Sequence, residues 1–142
     1  MGDPTGLIVA AVVSLAVIVF GLFRARRDGR LRGGGRDEIL RLSAGELGET
    51  LGERATLVQF STTLCVSCPG TRRLLADVSA STPGVAFVEI DAEARLDLVR
   101  RADVMRTPTV LVLDHAGRVV RRASGPPTRA DLVSAVDLAT AG

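Results

Sequence analysis

Tryptophan, tyrosine and lysine are absent from this chain of 142 residues, and histidine occurs once, at position 115. Phenylalanine is the only aromatic residue, and only Phe60 and Phe87 lie beyond the N-terminal segment. A nucleic-acid partner is therefore not expected, because it calls for a basic face and usually for aromatic stacking platforms. Cysteine occurs twice, at 65 and 68. Two cysteines build no disulfide framework and cannot alone close a four-ligand zinc site, so if they matter they matter as a pair. The length leaves room for one ordinary domain and an accessory segment, which excludes a multidomain enzyme. All 18 basic residues are Arg. That bias reflects coding composition rather than chemistry and carries no functional weight.

What is present is unevenly spread. Residues 1–36 hold six Arg against Asp3 and Asp28, whereas residues 37–142 hold twelve Arg against fourteen acids. The basic balance thus belongs to the N-terminal segment, and the rest is slightly acidic. From Pro4 to Phe23 no residue is charged, and Leu7 to Phe23 is almost wholly aliphatic or Phe. As a helix this run spans about 30 Å, the thickness of a bilayer's hydrocarbon core. A cleaved signal peptide and a buried core helix are the alternatives. Asp3 precedes the run and Arg24, Arg26 and Arg27 follow it, the reverse of a signal peptide's charge order. Residues 1–23 are accordingly read as a retained transmembrane anchor and 24–36 as an Arg/Gly-rich juxtamembrane linker, with Gly33 to Gly35 as a flexible joint. Arg retained on the C-terminal side predicts a single-pass protein of the cell membrane with residues 37–142 in the cytoplasm. The Arg cluster serves either as a stop-transfer signal or as a contact with anionic headgroups.

No internal repeat is visible. Residues 37–142 read as alternating strands and helices: strand Glu38–Leu42, a helix capped by Ser43-Ala-Gly-Glu46 and running to about Leu51, and strand Thr56–Phe60. Then follow a helix from Thr71 to Ala80, strand Val85–Ile90, and a helix over Glu93–Val104 with Leu96 and Val99 inward. Strand Thr109–Leu113, a tight turn at His115–Arg118, strand Val119–Ala123 and a helix opening at Thr128 complete the chain. Helical crossovers predict parallel pairing of the first three strands and an antiparallel edge from the closing hairpin. The result is an α/β domain of three layers.

Cys65-Val66-Ser67-Cys68 falls between a buried strand and the start of the next helix. Free amides and the macrodipole at a helix N-terminus stabilise a thiolate, and Arg72 and Arg73 add charge about a turn later. Cys65 should therefore have the lower pKa. Cys68, a turn away on the same helix face, can close a disulfide once Cys65 has attacked a substrate sulfur. Two other readings stay open: small core hydrophobes, or half of a Cu(I) or Zn site shared between chains, with His115 as the only available imidazole.

With these residues and Thr107-Pro108-Thr109 before the next strand, residues 37–142 resemble the thioredoxin family. The resemblance implies a thioredoxin-like three-layer α/β/α domain with a mixed central sheet, here preceded by one N-terminal transmembrane helix. It implies that Pro108 is a cis-proline facing the Cys pair, although a plain helix-to-strand breaker remains the alternative. It further implies that the Thr107 backbone pairs with an extended substrate, its hydroxyl in reach of a Cys sulfur. Cys65 becomes the attacking and Cys68 the resolving thiol, with no bound cofactor and no metal. Partners are protein thiols or disulfides and an upstream thiol reductant. The chain departs from the family in Leu64 for the usual Trp, in Val66-Ser67 for Gly-Pro, in Gln59 for the buried acid and in Phe87 for its lysine. The expected function is that of a membrane-tethered thiol–disulfide oxidoreductase. Its rivals are a redox-sensing or redox-inert interaction module at the membrane and, third, a metal carrier.

Overall fold

The computed structural model describes residues 4–27, 29–33 and 40–142. Helix α1 (Pro4–Arg27) carries no buried residue along its 24 positions. The remainder folds as α2 (Ala44–Leu47), β1 (Ala55–Ser61), α3 (Cys68–Ser81), β2 (Val85–Asp91), α4 (Leu96–Arg101), β3 (Thr109–Asp114), β4 (Val119–Ser124) and α5 (Arg129–Thr140). The strands form one sheet in the order β2-β1-β3-β4. Every residue of β1 and β3 is buried, as expected of central strands covered on both faces.

Alternation along those strands divides the core. Val58, Phe60, Leu111 and Leu113 face one cluster, which Leu42, Leu47 and Leu98 complete from α2, α4 and the chain before α2. Leu57, Val110 and Val112 face the other, against Leu75 and Val78 of α3 and Leu132, Ala135, Val136 and Ala139 of α5. Three layers result. The capping box is present as read: the Ser43 side chain accepts from the Glu46 amide while the Glu46 carboxylate accepts from the Ser43 amide. Thr128 caps α5 by accepting from the Asp131 amide.

Several expectations are corrected. β1 and β2 are parallel, but β3 runs antiparallel to β1 as well as to β4. Helix α4 has six residues and rises about 9 Å, so it does not itself carry the chain back along a strand of about 20 Å. The chain therefore enters β3 at the end where it left β2. The described part of the expected strand Glu38–Leu42 makes only an isolated antiparallel bridge, Arg41 with Arg118. Glu38 and Ile39 lie outside the described residues. Helix α2 ends at Leu47 rather than Leu51 because Gly48 turns left-handed at φ 73°. In the shortened α4 Leu96 is 54% exposed, and Leu98 is buried in its place with Val99 packed beside it.

The expected linker is not uniform. Arg24, Arg26 and Arg27 form the last turn of α1. Arg32 bridges Arg122 of β4 through two hydrogen bonds of 2.7 Å, and Leu31 packs against the cluster below. Gly34 and Gly35 of the expected joint lie outside the described residues.

Candidate functional site

β1 ends at Ser61, and the next residues lead over the end of the sheet into α3. The Cys65 amide donates to the Thr62 carbonyl at 3.2 Å, and the Thr63 hydroxyl donates to Glu93 at 2.8 Å. These contacts hold the turn that presents the pair. Cys65 and Cys68 are joined by a disulfide with their Cα atoms 5.4 Å apart. The helix begins at Cys68, so Cys65 stands in the preceding turn rather than on a shared helix face. Pro69 fits the first turn, where an amide hydrogen is not required. The two sulfur positions differ in access: Cys65 is partly exposed and Cys68 is buried. Leu64 and Val66 flank Cys65 at 88% and 95% exposure.

The second half of the site is the loop before β3. The Thr107–Pro108 peptide is cis. Thr109 pairs with Phe60 in the antiparallel ladder, which brings this loop beside the end of β1 and the cysteine turn. Thr107 and Thr62 hydroxyls share a hydrogen bond of 3.2 Å, so the Thr107 hydroxyl is directed to Thr62 rather than to a cysteine sulfur. The Pro108 carbonyl accepts from the Gly125 amide at 2.7 Å, and the Thr109 hydroxyl donates to the Arg106 carbonyl at 2.6 Å. Met105, in the same loop, is 86% exposed.

Beneath the pair lies Gln59, wholly buried on the α3 side of β1. Its Nε2 donates to the Cys68 carbonyl at 3.1 Å, while its Oε1 is buried with no partner. A neutral amide at this depth avoids the desolvation of a carboxylate, and it exchanges no proton. Arg72 is also not where charge arithmetic put it. Its guanidinium grips Glu89 of β2 through Nε and Nη2 at 2.6 and 2.5 Å, and the Ser61 hydroxyl donates to the same carboxylate at 2.7 Å. The Arg72 hydrogen bonds hold the Glu89 carboxyl below its usual range against the opposing effect of burial. Arg72 thus neutralises Glu89 instead of adding a free charge beside Cys65. An open cleft of about 380 Å³ lies here, lined by Ser61, Thr62, Thr63, Arg72, Glu89 and Asp91.

Sequence reasoning brought together Cys65, Cys68, Thr107 and Pro108, and the structure places all four at one end of the sheet. It missed the anchors Thr62 and Thr63 and the acid Glu89. The run Ser61-Thr62-Thr63 directly after a fully buried strand was the available signal. His115 lies in the turn at the opposite end of the sheet, exposed and remote from the cysteines.

Comparison with known proteins gives a consistent result. The thioredoxin family model matches residues 39–138. Thioredoxin H5 of Oryza sativa subsp. japonica is 26% identical over 72 residues, 51% of this chain and 53% of that protein, so the chain spans about half the length of this curated relative. Among solved structures, thioredoxin NaTrxh from Nicotiana alata is 26% identical at a TM-score of 0.55, covering 62% of this chain and 75% of that one. Thioredoxin f from spinach chloroplast superposes with a TM-score of 0.55 at 19% identity, over 62% of this chain and 78% of its own.

Proposed function

The chain belongs to the thioredoxin family, and from that premise we propose that it is a membrane-tethered thiol–disulfide oxidoreductase acting through Cys65 and Cys68. One observation carries the proposal: the Cys65–Cys68 disulfide stands at the head of α3, partly exposed at Cys65 and buried at Cys68. In the reduced form the Cys65 thiolate attacks one sulfur of a partner disulfide. That bond breaks, a mixed disulfide forms, and the partner's released thiolate takes a proton from solvent. Cys68, having lost its proton to solvent because Gln59 cannot accept it, then attacks the Cys65 sulfur. The second partner thiol leaves, the Cys65–Cys68 disulfide closes, and two electrons have passed to the partner. An upstream thiol reductant restores the dithiol by the same exchange in reverse order, without a bound cofactor.

Thr107 and Pro108 form the substrate-facing clamp. Among the described residues no backbone hydrogen bond engages Thr107, which leaves its peptide groups open to an extended segment. The tether is α1, whose 24 residues are long enough to cross a bilayer and include none that is buried in the protein. The Arg that follow it keep the domain on the cytoplasmic side. There the ambient poise holds the pair reduced, and the direction is reduction of partners. Cys68→Ser in the full chain should accumulate mixed disulfides in membranes and Cys65→Ser should not. Absence of trapped species from both, with no change of redox state in cells, refutes the activity.

A second reading, an interaction module with a sensing or inert pair, is favoured by Gln59 in the place of a proton-accepting acid. The purified full chain then would bind partners yet show no turnover of a protein disulfide with excess dithiol.

A further inference from the structure

We propose that the disulfide-bearing end of the sheet faces the bilayer, so that the partner is a cysteine pair carried by a membrane protein at the bilayer surface rather than a freely diffusing disulfide. The inference rests on the reading of α1 as a membrane span. It starts from how the chain leaves that helix. The Gly29 amide donates to the Ser124 carbonyl at 3.1 Å, and Arg32 exchanges two hydrogen bonds with Arg122. Residues 29–32 therefore run antiparallel along the outer edge of β4, and Gly29, two positions after the end of α1, sits at the end where β4 finishes.

That is the cysteine end. Ser124 pairs with Thr109, Thr109 pairs with Phe60, and the Gly125 amide donates to the Pro108 carbonyl. Three strand spacings, about 15 Å, separate Gly29 from the strand that leads into the cysteine turn. The seat of Gly29 is close: at φ +81° a Cβ would stand 2.0 Å from the Pro126 carbonyl oxygen. The last turn of α1 lies beside the same loop, with Ala25 and Arg26 sharing a cleft with Pro126, Thr128 and Asp131. No residue of α1 is buried, so the helix leaves the domain from this end and does not fold back along it.

Arg24, Arg26 and Arg27 mark headgroup level, and the disulfide is held near it. The surface chemistry agrees. Leu64 and Val66 stand exposed on either side of Cys65 and Met105 is exposed in the loop leading to Pro108, a rim compatible with the apolar side of an interface, whereas the turn at the opposite end exposes His115 and Arg118. A domain on a loose tether would meet soluble and membrane partners alike. A seated one presents its disulfide to what lies along the bilayer.

Two measurements on the full chain in anionic vesicles test this. In the first, both cysteines are replaced by Ser and a single fluorophore is attached at Leu64→Cys or at His115→Cys. Nitroxide-labelled lipid headgroups should quench the Leu64 probe several-fold more than the His115 probe, and Gly29→Val should erase the difference. Equal or reversed quenching overturns the orientation, whatever the enzyme does. In the second, the native pair reduces a transmembrane peptide carrying a disulfide either beside the bilayer or on a stalk well above it. The near disulfide should react about tenfold faster, and a flexible insertion of roughly twenty residues between Arg27 and Gly29 should abolish the preference. Equal rates with the native chain overturn the choice of partner. No reaction with either peptide or with a small soluble disulfide would instead count against the oxidoreductase reading, while the quenching result stands independently.

Discussion

The two ends of the sheet are built to opposite rules. At the hairpin end the Asp114 carboxylate is buried and fully engaged, accepting from the amides of Ala116 and Arg118 at 2.9 Å each and from Arg118 Nε at 2.8 Å. At the cysteine end Gln59 Oε1 is buried without a partner and Leu64, Val66 and Met105 are left to solvent. Complete satisfaction fixes a register, because any shift of the hairpin would strand a charge. Apolar side chains left in water are free to meet another molecule. One sheet thus separates a fully tied end from the end that carries the disulfide.

Substitutions at the two ends should therefore fail differently. The largest effect belongs to Cys65→Ser, expected to lower the rate of disulfide exchange by about 10³-fold or more while leaving the urea midpoint of the reduced protein nearly unchanged. Asp114→Asn should do the reverse: the loss of charge-assisted bonds costs about 2–3 kcal/mol in urea unfolding, with exchange retained wherever the protein is folded. A comparable loss of exchange in Asp114→Asn would erase the contrast. Gln59→Glu introduces a proton acceptor under Cys68, and the exchange rate should acquire a new pH dependence, rising about tenfold as that carboxyl ionises. A flat profile would mean that solvent alone deprotonates Cys68.

The smallest effect concerns acid. Burial raises Asp114, but the Arg118 and Ala116 amides and the Arg118 guanidinium overcome it, and the net direction is down. Glu89 is likewise lowered, chiefly by its hydrogen bonds from Arg72. A carboxyl whose folded value is lowered contributes stability that is complete above its unfolded value and disappears as pH falls through the folded one. Thermal midpoints should thus hold steady above about pH 5 and decline below about pH 4, with Asp114→Asn flattening part of that decline. A decline that begins near neutrality would point to other groups.

Much of this was written in local pattern. The buried runs of β1 and β3 and the Ser43 and Thr128 caps each follow from residues close in sequence, whereas the approach of Pro108 to the cysteines came only with the resemblance to the thioredoxin family. Direction was harder, because the antiparallel course of β3 depends on α4 stopping after six residues, and an exposed Leu96 beside a buried Leu98 gives no clear helical stripe. The engagement of Arg72 was hidden for another reason. Its partner Glu89 stands opposite Gln59 only through the β1–β2 register, which no local pattern encodes. Nor does composition reveal that Arg32, in an Arg/Gly-rich stretch read as a joint, hydrogen-bonds to β4.

That last contact bears on how the protein can be handled. β4 is the outermost strand, and residues around Arg32 shield its hydrogen-bonding edge from other molecules. Trimming the chain to begin at Asp37, the natural choice for a water-soluble preparation, would uncover that edge and invite self-association strand to strand.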